Sequence, residues 1–260
     1  MTNAKIKLAL RISAAIMLAS GATPVALSKD TAGDDLSSSQ IFQKAQANYA
    51  SLTSYSDEGR IVATMSDTTI TTSFTIRLAR PNYYRVEWEK TIESFYPTHH
   101  TQVQAVWSLG SGNFLEIGDG PQNEETRYMA LAKATVISSG AAGTIPRTFF
   151  NMQWGDPLGG SVFSETRQTD EKVGPVDCYV FTRKLQDQTR TLWIGKRDFL
   201  IHQVRTVTTA EGMQALLNRA VTGHHEIISD IHGFTTTETH THIVVNEQFL
   251  RSDFKPVNGE

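Results

Sequence analysis

The chain has 260 residues, 39% hydrophobic, 20% charged and 9% aromatic, with a formal charge of −3 and one cysteine. That length suits one domain, and it buries enough surface to fold without covalent staples. A lone Cys178 excludes an intrachain disulfide framework and a thiolate zinc cluster, and the lack of a net basic field excludes nucleic acid as the main partner.

At the N-terminus, Lys5, Lys7 and Arg11 precede an apolar, small-residue run from Ile12 to Ala22, with Pro24 behind it. Residues 1–28 therefore read as a secretory signal peptide cut between positions 22 and 28, because the run is too short to span a membrane. No cysteine follows Leu18-Ala19-Ser20-Gly21, where an acylated anchor would sit. The expected mature protein, residues 29–260, is one exported, periplasmic, soluble domain.

After a polar leader over 29–39, Ser37 and Gln40 have the spacing of a capping box, and Phe42, Ala45, Tyr49 and Leu52 form one apolar stripe of a helix. The period then changes to two. Strands are predicted over 55–64 and 70–78, joined through Ser66-Asp67, then around Tyr84, Val86 and Trp88, around Val103, Ala105 and Trp107, and over 114–117. Helical spacing returns over 124–137 and over 144–154, the latter with Pro146 in its first turn. Further strands are expected over 161–169, 177–185, 189–194 and 199–208, then a helix over 211–221. A hairpin of 224–231 and 234–245 is expected to flank Gly233. Short connections favour an antiparallel meander of about ten strands with helices on one side.

Tyr55-Ser56-Asp57-Glu58-Gly59 and Phe74-Thr75-Ile76-Arg77-Leu78-Ala79-Arg80-Pro81-Asn82-Tyr83-Tyr84-Arg85 resemble the opening of the periplasmic lipoprotein-carrier (LolA/LolB-like) superfamily. Val106-Trp107-Ser108-Leu109-Gly110-Ser111-Gly112 and Thr191-Leu192-Trp193-Ile194-Gly195-Lys196 continue the likeness, which covers most of 37–205 and has no counterpart for 211–242. The resemblance implies a mainly β fold: a strongly curved antiparallel sheet forming an incomplete barrel, closed by helices over a cavity for acyl chains. It also implies that Arg80 helps to hold the lid shut.

The residues make a separate case for an apolar ligand. Phe74, Trp88, Trp107, Phe149, Phe150 and Trp154 recur on strands and facing helices, with Ile76 and Leu78 on the strand of Phe74 and Arg80 at its end. Taken singly each reads as core, but a curved sheet of this size encloses more volume than its side chains fill. These nine are the candidate ligand-binding residues. No Gly-x-Ser-x-Gly elbow, Ser-x-x-Lys pair or phosphate-binding glycine loop occurs, so no catalytic residue, metal or cofactor is assigned.

Five of the eight histidines, His224, His225, His232, His240 and His242, fall in one segment. His240 and His242, two apart on a strand, are expected to share a face. They read first as hydrated side chains of a Thr-rich hairpin, or else as ligands to a metal with Glu226, Asp230 or Glu238. The expected function is a monomeric carrier for a hydrophobic or acylated ligand, with a membrane or lipoprotein as delivery partner. The alternative is a hydrolase of an acyl ester or lactone in the same pocket, with or without a metal.

Overall fold

A computed structural model describes residues 36–93, 98–118, 120–152, 158, 165–185, 187–220 and 232–256, with backbone alone over 216–220. The expected signal peptide, Trp154 and the 224–231 strand with His224 and His225 lie outside these residues.

Helix α1 (Ser38–Ser51) starts where its sequence says it should. The Ser37 amide donates to Gln40 Oε1 (2.9 Å) and the Gln40 amide to Ser37 Oγ (3.3 Å), so two of the orphan donors of the first turn are satisfied. Ile41, Phe42, Ala45 and Tyr49 are its buried stripe. A first meander follows: β1 (Ser54–Met65), β2 (Thr68–Ala79), β3 (Tyr83–Glu93), the short β4 (His99–His100) against β3, then β5 (Gln104–Leu109), β6 (Asn113–Glu116) and β7 (Pro121–Glu124).

Helix α2 (Arg127–Ile137) begins three residues later than its periodicity suggests, because Thr126 caps it by accepting from the Met129 amide (3.1 Å) while Glu124 still belongs to β7. Helix α3 (Thr144–Phe149) also stops short of 154. Asn151 takes a left-handed φ of 51°, and the Met152 and Asn151 amides donate back to the carbonyls of Arg147 (2.9 Å) and Thr148 (3.2 Å), a Schellman closure. The second meander comprises β8 (Glu165–Arg167), β9 (Glu171–Val173), β10 (Val176–Lys184), β11 (Gln188–Gly195) and β12 (Ile201–Thr208). Helix α4 (Ala210–Ala220), strand β13 (Phe234–Val245) and a 3-10 turn, Arg251–Phe254, complete the described chain.

Among the described residues the thirteen strands form one antiparallel sheet, in the order β7-β6-β5-β3-β2-β1-β13-β12-β11-β10-β8, with β4 on β3 and β9 on β10. The two meanders are joined where the last strand pairs with the first, from Tyr55 opposite Val245 to Met65 opposite Phe234. The sheet does not close, since β7 and β8 remain edges.

Alternation along the strands assigns its two faces. Tyr55, Ile61, Phe74, Ile76, Leu78, Tyr84, Val86, Trp88, Val106, Leu115, Tyr179, Phe181, Leu192, Ile194 and Val204 share one hydrophobic core with α1, α2 and α3. Strands as distant in the sheet as β6 and β10 enter that core, so the sheet wraps the helices as an incomplete barrel. On the other face Cys178, Val180 and Trp193 make a small separate cluster, and burial pushes the Cys178 thiol up to about 12. The C-terminal segment also lies there. Phe254 packs on Tyr83 (5.4 Å between centroids), and Arg85 Nη1 donates to the Lys255 carbonyl (2.5 Å). Among the described residues no helix is long and apolar enough to cross a membrane.

Candidate functional site

The helix-covered face carries a row of side chains running across β3, β2, β1 and β13: Trp88, Phe74, Gly59 and His240 stand opposite one another in register. Gly59 is what lets the row close. A Cβ there would lie 2.0 Å from Phe74 Cζ, so the ring sits flat over the β1 backbone and reaches His240, 5.6 Å away between centroids. Ile76 and Leu78 continue along β2, while Phe149 and Phe150 of α3 meet edge to face at 4.9 Å, Phe150 also touching Tyr84.

Six expected ligand-binding residues, Phe74, Ile76, Leu78, Trp88, Phe149 and Phe150, thus come together in one apolar cluster. Trp88 anchors its indole by donating to Gln104 Oε1 (2.8 Å). Trp107 stands apart from them, on the opposite face, stacked on Phe114 at 5.5 Å.

Arg80 ties this cluster to the helices. From the end of β2, its Nε donates to the Leu52 carbonyl (2.9 Å), and Nη2 to the carbonyls of Tyr49 (3.2 Å) and Phe149 (2.6 Å). The guanidinium also lies 4.6 Å from the Phe149 ring centroid. One rigid fork therefore holds the C-terminal ends of α1 and α3 against the sheet, a geometry lysine cannot reproduce. Arg127 makes a second tie that spacing did not reveal: it lies 4.0 Å over Phe150 and donates to Pro81 O (3.2 Å) and Asn82 Oδ1 (3.1 Å).

The histidines part company. A bulge between Ser56 and Glu58 in the β1–β13 register, with His242 at a left-handed φ of 51°, breaks the two-residue alternation of β13 just after Thr241. His240 and His242 therefore do not share a face: His242 is exposed beside Glu58 (3.2 Å), whereas His240 is fully enclosed. His240 Nδ1 lies 2.6 Å from Asp57 Oδ2, which also accepts from Tyr55 Oη (2.8 Å). Its Nε2 lies 3.2 Å from Glu238 Oε1, and Glu238 Oε2 accepts from Thr144 Oγ1 (2.5 Å). Burial alone would lower the imidazole's pKa, but the charge and hydrogen bond of Asp57, then those of Glu238, reverse this and raise it to about 10. Burial likewise drives the Tyr55 phenol well above its ordinary value, with Asp57 adding to the effect.

Two cavities flank this layer. One of about 200 Å³ opens on the helix side, between the turn joining α2 to α3 and strands β11 to β13. A trough of about 860 Å³ lies over the opposite face, where Glu58, Arg60, Thr75, Glu89, Thr239 and Thr241 project. Among the described residues no three His, Cys, Asp or Glu side chains are grouped as metal ligands.

The described chain is thus an open antiparallel sheet wrapped on helices, apolar within, with Arg80 bonded to the ends of α1 and α3 at the rim. No family model and no curated protein matches its sequence. Among solved structures it is similar to LprF from Mycobacterium bovis (TM-score 0.43, 9% identity, covering 82% of this chain and 94% of that one). It is also similar to a DUF1329 family protein from Desulfovibrio piger (0.35, 11%, 83% and 95%) and to a LolA superfamily protein from Nitrosomonas europaea (0.33, 12%, 85% and 98%).

Proposed function

We propose that this chain is an exported, periplasmic carrier that takes a lipid-like or acylated ligand between its sheet and the helices α1 and α3. The observation that carries the reading is the grip of Arg80 on both helices above an aromatic interior. A carrier needs an apolar seat that can be shut and reopened, and a single side chain spanning lid and rim supplies a latch whose release shifts that balance. The basic and apolar pattern of residues 1–28 supports export. The hydrolase alternative draws no support from His240, because an enclosed imidazole that keeps its proton has no lone pair to take another.

Native mass spectrometry of the protein recovered from the exported fraction, with uptake of a fluorescent fatty acid, tests the reading. A co-purifying lipid and saturable uptake are expected, and Arg80→Leu is expected to fold while changing the probe's off-rate. Absence of both lipid and uptake in the wild type would overturn the carrier. The trough on the opposite face is the competing seat, because of its volume. Thr239→Trp, which fills it, is expected to leave uptake intact, and loss of uptake would move the ligand to that face.

A further inference from the structure

Resting on the carrier reading, we infer that Lys90 and Thr72, paired in register where β5 parts from β3, hold the anionic head group of the acyl ligand, a carboxylate or phosphate ester. Alternation puts both on the helix-covered face. Lys90 follows Tyr84, Val86 and Trp88 at two-residue spacing along β3, and Thr72 precedes Phe74, Ile76 and Leu78 along β2. Opposite Thr72 on β1 stands Ile61, itself in the main core. The ladder from β3 to β5 ends at Trp88 and Gln104. Beyond it Thr101 takes over, its amide donating to the Lys90 carbonyl (2.9 Å) and its hydroxyl accepting from the Lys90 amide (2.9 Å). Lys90 is therefore a fixed strand residue at the end of the sheet away from Arg80.

The fold uses neither polar group. Among the described residues the half-buried Lys90 ammonium makes no hydrogen bond or ion pair, and burial alone lowers its pKa, with no carboxylate close enough to counter it. Thr72 is 0% exposed, and its Oγ1 has no hydrogen-bond partner among the described residues. Buried hydroxyls are ordinarily bonded, so one without a partner is a cost to the folded chain. Cross-strand neighbours lie about 5 Å apart at Cβ, which lets one anionic oxygen accept from both the ammonium and the hydroxyl. Phe74 and Trp88, the next inward pair in register, form the apolar wall beside them. Thr72 lies eight positions before Arg80, about 26 Å along an extended strand. An acyl chain with its head group at Lys90 thus runs over Phe74, Ile76 and Leu78 toward the helix ends that Arg80 holds.

The test measures binding of palmitate, hexadecyl phosphate and uncharged methyl palmitate to the exported protein, to Lys90→Met and to Thr72→Val. The wild type should bind at least one anionic amphiphile about tenfold or more tighter than the ester, since a charge-assisted hydrogen bond is at stake. Whichever anion is preferred identifies the head group. Each variant should bind the ester unchanged and lose most of the preference, and if Lys90→Met fails to fold, Thr72→Val decides. Without ligand, Thr72→Val should melt at an equal or higher temperature, because it deletes a hydroxyl that the folded chain leaves unbonded. A lowered melting temperature would show that Thr72 is bonded within the protein and would overturn the site. Equal wild-type affinity for all three compounds, or a preference that survives in either folded variant, would also overturn it and leave the carrier standing. Binding of none of them would instead remove the carrier reading, and this inference with it.

Discussion

His240 is a buried imidazolium with carboxylates on both sides, and its energetics are set within a few ångströms. His240 has its pKa raised to about 10, above the ordinary 6.5, so the stability it contributes is full below about pH 6.5 and is lost as pH rises through about 10. Removing one member of a buried ion pair strands the other, at a cost of roughly 3 to 5 kcal/mol. Asp57→Asn should therefore lower the melting temperature at neutral pH and flatten its decline between pH 6.5 and 10. Thermal melts of both proteins across that range check this, and parallel declines would show that another group titrates. Gly59 is the matching steric case. Gly59→Ala drives a methyl into the Phe74 ring, and overpacking of this kind costs about 1 to 3 kcal/mol, measurable as a lowered urea midpoint.

At the scale of elements, whatever is local was legible and whatever depends on distant partners was not. The capping box and stripe of α1, the alternation of β2 and β3 and the Ser66-Asp67 turn are all written in neighbouring residues, and each is found in place. Arg80 could be named from its motif, although only the fold shows which carbonyls it grips. The Asp57–His240–Glu238 group was hidden because its members come from two strands far apart in sequence, and the histidines of Thr-rich β13 read first as hydrated side chains. The bulge at His242 left no signal beyond ordinary β-type residues, which seldom adopt left-handed φ. The C-terminal segment was equally silent, since Phe254 gains meaning only from Tyr83 and Phe249. Phe254 is 2% exposed, so Phe254→Ala should cost on the order of 3 kcal/mol in denaturant unfolding. A change within a few tenths would mean that this segment only rests on the sheet.

For the molecule as a whole, the question is whether two meanders joined by one strand pair unfold as one body. The case for one rests on the seam itself: β1 and β13 are paired along their length, His240 and Asp57 form a buried ion pair across them, and the single core takes side chains from both meanders. Open sheets with long edges would otherwise let each half fray separately. Tryptophans report on each half, Trp88 on β3 with its indole bonded to Gln104, and Trp193 on β11 with its indole donating to Glu171 (2.8 Å). Variants retaining only one of these, the remaining tryptophans replaced by phenylalanine, should give the same urea midpoint by fluorescence, as cooperative unfolding requires. Asp57→Asn, by weakening the seam alone, should lower both midpoints together. An earlier transition at Trp193 than at Trp88, in the parent or only in the Asp57 variant, would show that the second meander is a separate unit leaning on the first.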